Sequence, residues 1–320
     1  AVPSPIFYKN IDLVYLGGNK AFERATGLLP SDYIGKTVFD ISTSELSAVY
    51  NQSDLELLET KKPQSYEFKL ARPTGENKDV IFNKAVFNDF TGKPAGIIGV
   101  IQDITDMKQA EQRLLKANEE IIETQKEVIY TLGEIIETRS KEAAKHVVRV
   151  AEYSYLIGLK YGLNNDDAML LKIAAPMHDI GKIGIPDQIL NKPGSLSREE
   201  FDCIKTHTTI GHDILKKSHH KIMKMAGIIA LSHHERWDGT GYPAAIKGEH
   251  INIYSRIVSI ADVFDAVSHK RCYKDAWPLE KVKNYLREQS GQMFDPKVTD
   301  LFMENWEAIL NIRIRYSDDN

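Results

Sequence analysis

Apolar and polar positions change rhythm twice along the chain. In the first hundred residues the apolar runs are short. Ile6-Phe7-Tyr8 and Leu13 to Leu16 are β-rich and split by Asn10 and Asp12, the pattern of a hairpin. From about 18 to 60 the spacing turns helical, with breaks at Gly27, Pro30 and Gly35. Three strand candidates follow, Ser65 to Ala71, Asp79 to Asn88 and Gly96 to Asp103. Turns at Pro73-Thr74-Gly75 and at Asp89 to Pro94 punctuate them. Residues 1–106 thus predict a small α+β domain built on an antiparallel sheet.

The second rhythm is a heptad. Residues 105–140 hold Gly133 as their one glycine and no proline. Met107, Leu114, Ile121, Val128 and Ile135 recur every seven residues, with Leu115, Ile122, Ile129 and Ile136 beside them. Ala110, Ala117, Thr124 and Thr131 take the d-like positions. Sustained heptads predict a coiled-coil linker helix over 107–140, paired in parallel with a second copy. A lone helix this polar on its other faces would be marginal. Beyond it, residues 141–320 predict an all-α domain, with helical periodicity at 142–161, 166–178, 198–216, 221–233, 254–268 and 278–289.

Composition narrows the function. A length of 320 residues suits two domains, and 42% apolar residues suffice for ordinary cores. The net charge of −4 gives no basic footprint for DNA or RNA. The apolar run Ala95 to Ile101 falls far short of the roughly 18–20 residues of a membrane helix. No signal-peptide pattern is present, and Cys203 and Cys272 make no disulfide framework, so a reducing cytoplasm is expected. The chain starts Ala-Val-Pro without Met, which leaves room for an upstream sensor or membrane anchor. All ten histidines lie at or after position 146, so metal chemistry belongs to the C-terminal half.

The order of elements in the first 106 residues, and several of their residues, resemble a PAS domain. Asn19-Lys20-Ala21-Phe22 resembles the family's N-x-A-F helix, Ile34-Gly35-Lys36 its I-G-K turn, and Gly99 to Thr105 its closing strand with the D-I-T exit. The resemblance implies a sensor or dimerising module and leaves its ligand open. With no His before 146 and no Cys before 203, an axial-His haem or a flavin–cysteine adduct is not expected.

The histidines form a set with certain carboxylates. Glu142 and His146 are four apart, on one face of a predicted helix. His178-Asp179 precedes Ile180-Gly181-Lys182, where Gly181 ends a helix. His207 stands in a helical stretch; His233 and His234 are neighbours, about 100° apart around a helix, which would turn them to different metals or to a cluster's edge. Asp262 follows on a later helix. E-x3-H, HD, H, HH and D in this order resemble the HD metal-dependent phosphohydrolases. His178 to Pro186 (HDIGKIGIP), Asp187 to Pro193, Lys205-Thr206-His207, His233 to Pro243 and Ser259 to Ala266 resemble the HD-GYP branch, over about 180 residues.

That resemblance implies hydrolysis of cyclic di-GMP to pGpG and onward to GMP. By position it makes His146, His178, Asp179, His207, His233, His234 and Asp262 metal ligands, with Asp179 bridging and catalytic. Lys182 matches a lysine near the scissile phosphate. Asp238, Gly241, Tyr242, Pro243, Arg271 and Lys274 match substrate-binding positions. Many members begin this domain with a Tyr-Thr-x-Gly-His-like segment; here it is Glu142 to His146, and Glu142 resembles the subset with a third metal.

The chemistry is coherent. Two cations ~3.5–4 Å apart bind phosphodiester oxygens, lower the pKa of a bridging water and orient in-line attack. Imidazole and carboxylate without thiolate suit Fe or Mn, two or three ions per chain. Lys182 can stabilise phosphoryl charge, and Arg271 can grip phosphate through two N–H groups. Trp237 and Tyr242 can stack on a guanine or pack the loop. Asp265 fits a partner to a ligand better than a ligand. His212, His219, His220, His250 and His269 match no motif position and read as surface or structural. Competing readings are a hydrolase for another cyclic dinucleotide such as a mixed GMP-AMP ring, a cyclic di-GMP receptor with little turnover, and oxygen chemistry at a di-iron site.

Overall fold

Alternation along the first strands becomes an antiparallel sheet. β1 (Ile6–Asn10), β2 (Tyr15–Gly18), β3 (Gln64–Ala71), β4 (Asn77–Asn88) and β5 (Pro94–Asp103) lie in the order β2-β1-β5-β4-β3. In this computed structural model all residues are described except 1, 43, 72–76, 141–144, 271–274 and 318–320. The predicted turn at Pro73-Thr74-Gly75 and Cys272 lie outside the described residues. The chain divides into two units, residues 1–120 and 121–320.

Four helices connect β2 to β3: α1 (Lys20–Thr26), α2 (Pro30–Tyr33), α3 (Val38–Ile41) and α4 (Ser44–Thr60). Asn19 explains the first motif. Its side chain accepts from the Phe22 amide at 2.9 Å, capping α1, and from the Ile6 amide at 3.1 Å, which ties the helix to β1. Phe7, Tyr15, Phe22, Tyr33 and Phe82 form an aromatic core on the sheet face. The exit motif is a clasp: Asp103 accepts from the Thr105 amide, and the Thr105 hydroxyl accepts from the Asp79 amide, both at 3.0 Å.

Thr105 opens α5 (Thr105–Arg139). Its two apolar columns part company. Met107, Leu114, Ile121, Val128 and Ile135 are all more than half exposed. In the second column Leu115 and Ile122 are exposed, whereas Ile129 and Ile136 are 3% and 5% exposed. The end of that column therefore packs within its own chain, with Ile129 in the second unit's core, and is not part of a seam with a second copy.

The second unit continues with α6 (His146–Tyr161), α7 (Asn165–Ala174), 3-10 turns at Ala175–Met177 and Ile180–Gly184, α8 (Asp187–Leu190), α9 (Arg198–Lys205), α10 (His207–Leu215), α11 (Lys221–Ser232), α12 (Ile253–Ser268), α13 (Leu279–Glu288), α14 (Pro296–Glu304) and α15 (Trp306–Arg315). Val150, Tyr153, Ile157, Leu171, Ile229 and Phe264 are among its fully buried residues.

Two predicted spans need correction, and two helices lie beyond those predicted. The helix expected over 166–178 ends at Ala174, and Pro176, with no N–H to donate, sits in the 3-10 turn that follows. The stretch 198–216 is two helices that meet at Thr206, so His207 begins a helix. α14 and α15 lie beyond the predicted periodic segments, although Asp295 caps the first by accepting from the Lys297 amide and Pro296 fills its first turn. Among the described residues no helix is long and apolar enough to cross a membrane.

Candidate metal centre

Element ends supply most of the histidines. His146 opens α6 and His207 opens α10; His178 and Asp179 occupy the bend between the two 3-10 turns; His233 and His234 follow the last turn of α11. Asp262 lies within α12. The ligand atoms of Asp179, His207, His233 and His234 lie within 4.8 Å of one another, as do those of Glu137, His146 and His178. His233 and His234 thus turn to one group, contrary to the expectation that helical spacing would separate them: both lie past the helix end, with ring centroids 4.0 Å apart.

Asp179 joins the groups. Its Oδ1 is 3.2 Å from His207 Nε2 and 3.6 Å from His233 Nε2, while its Oδ2 is 3.4 Å from His178 Nε2 and 2.7 Å from Lys182 Nζ. Asp262 Oδ1 is 3.4 Å from His146 Nε2 and 3.9 Å from His178 Nε2.

The outer nitrogens are satisfied and the inner ones are not. Nδ1 of His178 contacts the Ala175 carbonyl at 2.9 Å, that of His207 the Ile204 carbonyl at 2.6 Å, and that of His233 the Ile229 carbonyl at 3.0 Å. His146 Nδ1 contacts Asp265 Oδ2 at 2.8 Å. In the neutral ring with its proton on Nδ1, Nε2 keeps a lone pair that a cation can take. Nε2 of His146, His178, His207 and His233 and Oδ1 of Asp179 are buried without a hydrogen-bond partner. Buried polar atoms are rarely left so, and five spread over these two groups fit divalent cations held by imidazole and carboxylate.

Burial disfavours charge throughout, but neighbours decide the outcome. Asp179 is held well below the carboxylate range by Lys182 and His178 despite its burial, and Asp262 is lowered by His146 and His178. Beside those carboxylates His178 is pushed up to about 9 against the pull of burial, and His146 is also raised. Burial lowers His233, and His234 falls further under burial and the neighbouring His233. His233 and His234 thus favour the neutral form, the one that binds metal.

Supporting residues hold these groups in place. Asp265, buried, also takes Arg149 Nε at 2.7 Å and Nη2 at 2.9 Å, so it orients His146 and is itself pinned. A Cβ on Gly181 would stand 1.8 Å from the His207 carbonyl oxygen; only glycine lets this turn press against α10. Arg139 donates to the Lys182 and Ile185 carbonyls, each at 2.7 Å, and fixes the segment that carries Lys182. Glu137, 1% exposed, reaches Lys182 Nζ at 3.6 Å. Sequence reading assigned Glu137 only to the linker, because it lies outside every histidine motif, nine residues before His146 and near the end of α5.

The loop after His234 wraps the same place. Buried Glu235 accepts from the Ala244 amide at 2.7 Å and the Ile246 amide at 3.0 Å. A Cβ on Gly241 would meet the Arg236 amide nitrogen at 2.3 Å. The Tyr242 ring lies 4.8 Å from that of His234. Pro243 is exposed at the loop's surface. Asp238 bonds to the Thr240 amide at 2.9 Å and to its hydroxyl, shaping the turn. Trp237 packs under the Arg256 guanidinium, 5.6 Å from its ring. His212 contacts the Gly227 carbonyl and His269 contacts Asp265, so both are structural, while His219, His220 and His250 are exposed. Glu142, Arg271 and Lys274 lie outside the described residues.

Comparison with known proteins identifies both domains. The sequence model of the HD domain matches residues 130–298, and that of the PAS fold matches residues 1–109. A Vibrio cholerae protein named 3'3'-cGAMP-specific phosphodiesterase 2 is 44% identical over 57% of this chain and 35% of its own. A cyclic di-GMP phosphodiesterase of Thermotoga maritima is 42% identical over 58% of this chain and 50% of its own. The Xanthomonas campestris cyclic di-GMP phosphodiesterase response regulator RpfG is 39% identical over 60% of this chain and 51% of its own. The chain thus spans between about a third and a half of the length of these relatives.

Proposed function

Because this chain belongs to the HD domain family, with a PAS-fold domain ahead of the HD domain, we propose that it hydrolyses the phosphodiester bonds of a cyclic dinucleotide, cyclic di-GMP first. The observation that carries this reading is the convergence of the unpartnered buried Nε2 atoms of His178, His207 and His233 on Asp179. His207, His233, His234 and Asp179 would hold one divalent ion, and His146, His178, Asp179 and Asp262 a second. Bound there, such ions supply Lewis-acid stabilisation of phosphoryl oxygens and water of lowered pKa. The two oxygens of Asp179 face different histidines, which suits a bridging carboxylate.

Glu137 beside His146 and His178 supports a third ion, alongside or in place of the Glu142 ligand that the family resemblance suggests. A third ion favours onward cleavage of pGpG to GMP. The donors are imidazole and carboxylate, which supports Fe or Mn. Lys182, 2.7 Å from Asp179, would hold charge on the phosphoryl group under attack. Tyr242, against His234, would border the bound substrate; Asp238, Gly241 and Pro243 shape the loop that carries it. Arg271 and Lys274 would hold its outer phosphate. The PAS domain would regulate this activity, and the exposed Leu114, Ile121 and Val128 of α5 support pairing with a second copy.

A second reading, hydrolysis of 3'3'-cGAMP, is favoured by the name of the relative at 44% identity. One experiment addresses both. The full chain, purified without oxygen and loaded with Mn or Fe, is assayed for metal per chain and for products from each cyclic dinucleotide. Conversion of cyclic di-GMP through pGpG to GMP is expected. Faster turnover of 3'3'-cGAMP would move the assignment to that ring. Tight binding without turnover at a filled centre would make the protein a receptor.

A further inference from the structure

A cavity of about 620 Å³ lies in the first unit between the sheet and its helices. Phe7, Tyr15, Phe22, Tyr50 and Phe82 wall it with rings. Two of its other lining residues are lysines, Lys9 of β1 and Lys84 of β4, and they are 1% and 3% exposed. Both reach the same carboxylate. Lys9 Nζ donates to Asp54 Oδ2 at 2.6 Å and Lys84 Nζ to Asp54 Oδ1, and Asp54 is fully buried on α4. Two lysine side chains face one carboxylate, so with both protonated the cluster carries an excess of one positive charge. The other ionisable lining residue, Asp40, is exposed and bound to the Thr37 amide and hydroxyl.

A buried cation without its own counter-charge is costly, and nothing in the aromatic core needs one. Each ammonium has three N–H donors and the described bonds use one on each. The Tyr15 ring face, 4.4 Å from Lys9 Nζ, gives partial compensation. The Tyr50 hydroxyl is buried with no hydrogen-bond partner. Burial pulls Lys9 below the ordinary lysine range even beside Asp54, with Lys84 adding to the pull. The missing component is therefore one negative charge with hydrogen-bond acceptors and an apolar body. A phosphate dianion would overshoot the charge and leave the rings uncovered. The volume suits one or two rings.

We propose that this cavity binds a small aromatic monocarboxylic acid, its carboxylate completing the Lys9–Asp54–Lys84 cluster and its ring lying among Phe7, Tyr15, Phe22 and Phe82. Specificity then resides in charge count: an acid balances the cluster, and its neutral amide leaves the excess in place. Removing Lys84 reduces the cluster to a neutral Lys9–Asp54 pair, so Lys84→Met relieves the empty protein of its uncompensated charge while deleting the ligand's partner.

The test is calorimetric titration of the full chain with benzoate, phenylacetate, 4-hydroxyphenylacetate and indole-3-acetate, each against its primary amide. At least one acid is expected to bind one-to-one and about tenfold or more tighter than its amide. Lys84→Met should weaken that acid by about tenfold or more and raise the melting temperature of the unliganded chain. Leu28→Trp, which fills the cavity and leaves the charges alone, should also weaken it and keeps the test decisive should Lys84→Met fold poorly. The proposal is overturned if no acid outbinds its amide, or if the preferred acid binds Leu28→Trp as well as it binds the unaltered chain.

Discussion

His146, His178, His207 and His233 are each aimed by what Nδ1 holds, so these outer contacts carry testable weight. Asp265 fixes the His146 ring and is fixed by Arg149. Asp265→Asn keeps the shape but loses the charge, and metal affinity should fall by about 10–100-fold. Excess metal should restore turnover while the melting temperature stays lowered, because Arg149 then lacks its counter-charge; failure of metal to rescue would mean that Asp265 acts in some other way. Asp179→Ala removes the carboxylate common to both groups and should abolish turnover while the chain stays folded, and retained activity of metal-replete protein would sink the mechanism. Gly181→Ala places a methyl 1.8 Å from the His207 carbonyl oxygen. Overpacking of this kind should cost about 1–3 kcal/mol in denaturant unfolding and lower the metal count by displacing His207. The histidines and Asp179 were legible in sequence because their residue types are rare and their order is specific. Glu137, Arg139 and Glu235 were not, because each acts through contacts that no local pattern encodes: Glu137 toward Lys182, Arg139 to its carbonyl, and Glu235 to amides nine and eleven residues on.

At the scale of the element, α5 shows how far periodicity reaches. Heptad spacing located the helix but not the fate of its second column, since a seven-residue repeat serves a partner helix and a chain's own core equally well. The outcome is mixed: Leu114 and Ile121 are exposed while Ile129 and Ile136 are buried. Substitutions should separate the two roles. Leu114→Glu with Ile121→Glu should halve the mass measured by light scattering with little change in melting, and an unchanged mass would remove α5 as a dimer seam. Ile136→Ala should leave the mass alone and cost about 2–4 kcal/mol of stability. The same limit explains the break at Thr206. Apolar spacing runs on across it, yet the chain begins a new helix there, and this places His207 at a helix start facing Asp179. Asn19 was singled out as part of a motif and Asp295 was not noticed, although both cap a helix through a side-chain oxygen.

For the whole molecule, the two units rest on cores of different kinds. The first is aromatic and apolar apart from its lysine cluster, and residues 1–145 contain no histidine or cysteine. The second holds His146, His178, Asp179, His207 and His233 in the interior, where unpartnered Nε2 atoms are a standing cost that bound ions remove. Metal should therefore stabilise the second unit alone. At a free concentration about a thousandfold above Kd, a single ion contributes roughly 4 kcal/mol, and for a unit of this size that corresponds to roughly 8–16 °C. Calorimetry of the full chain before and after chelation should show one transition moving down by that order and the other staying in place. Readdition of Mn should reverse the shift, and His207→Ala should blunt both responses. A transition that ignores chelation would mean that the buried imidazoles are satisfied within the protein and that the centre is not built around ions. Equal movement of both transitions would mean that the units unfold together, and the effect of metal would then have to be sought in the His207→Ala difference rather than in which transition moves.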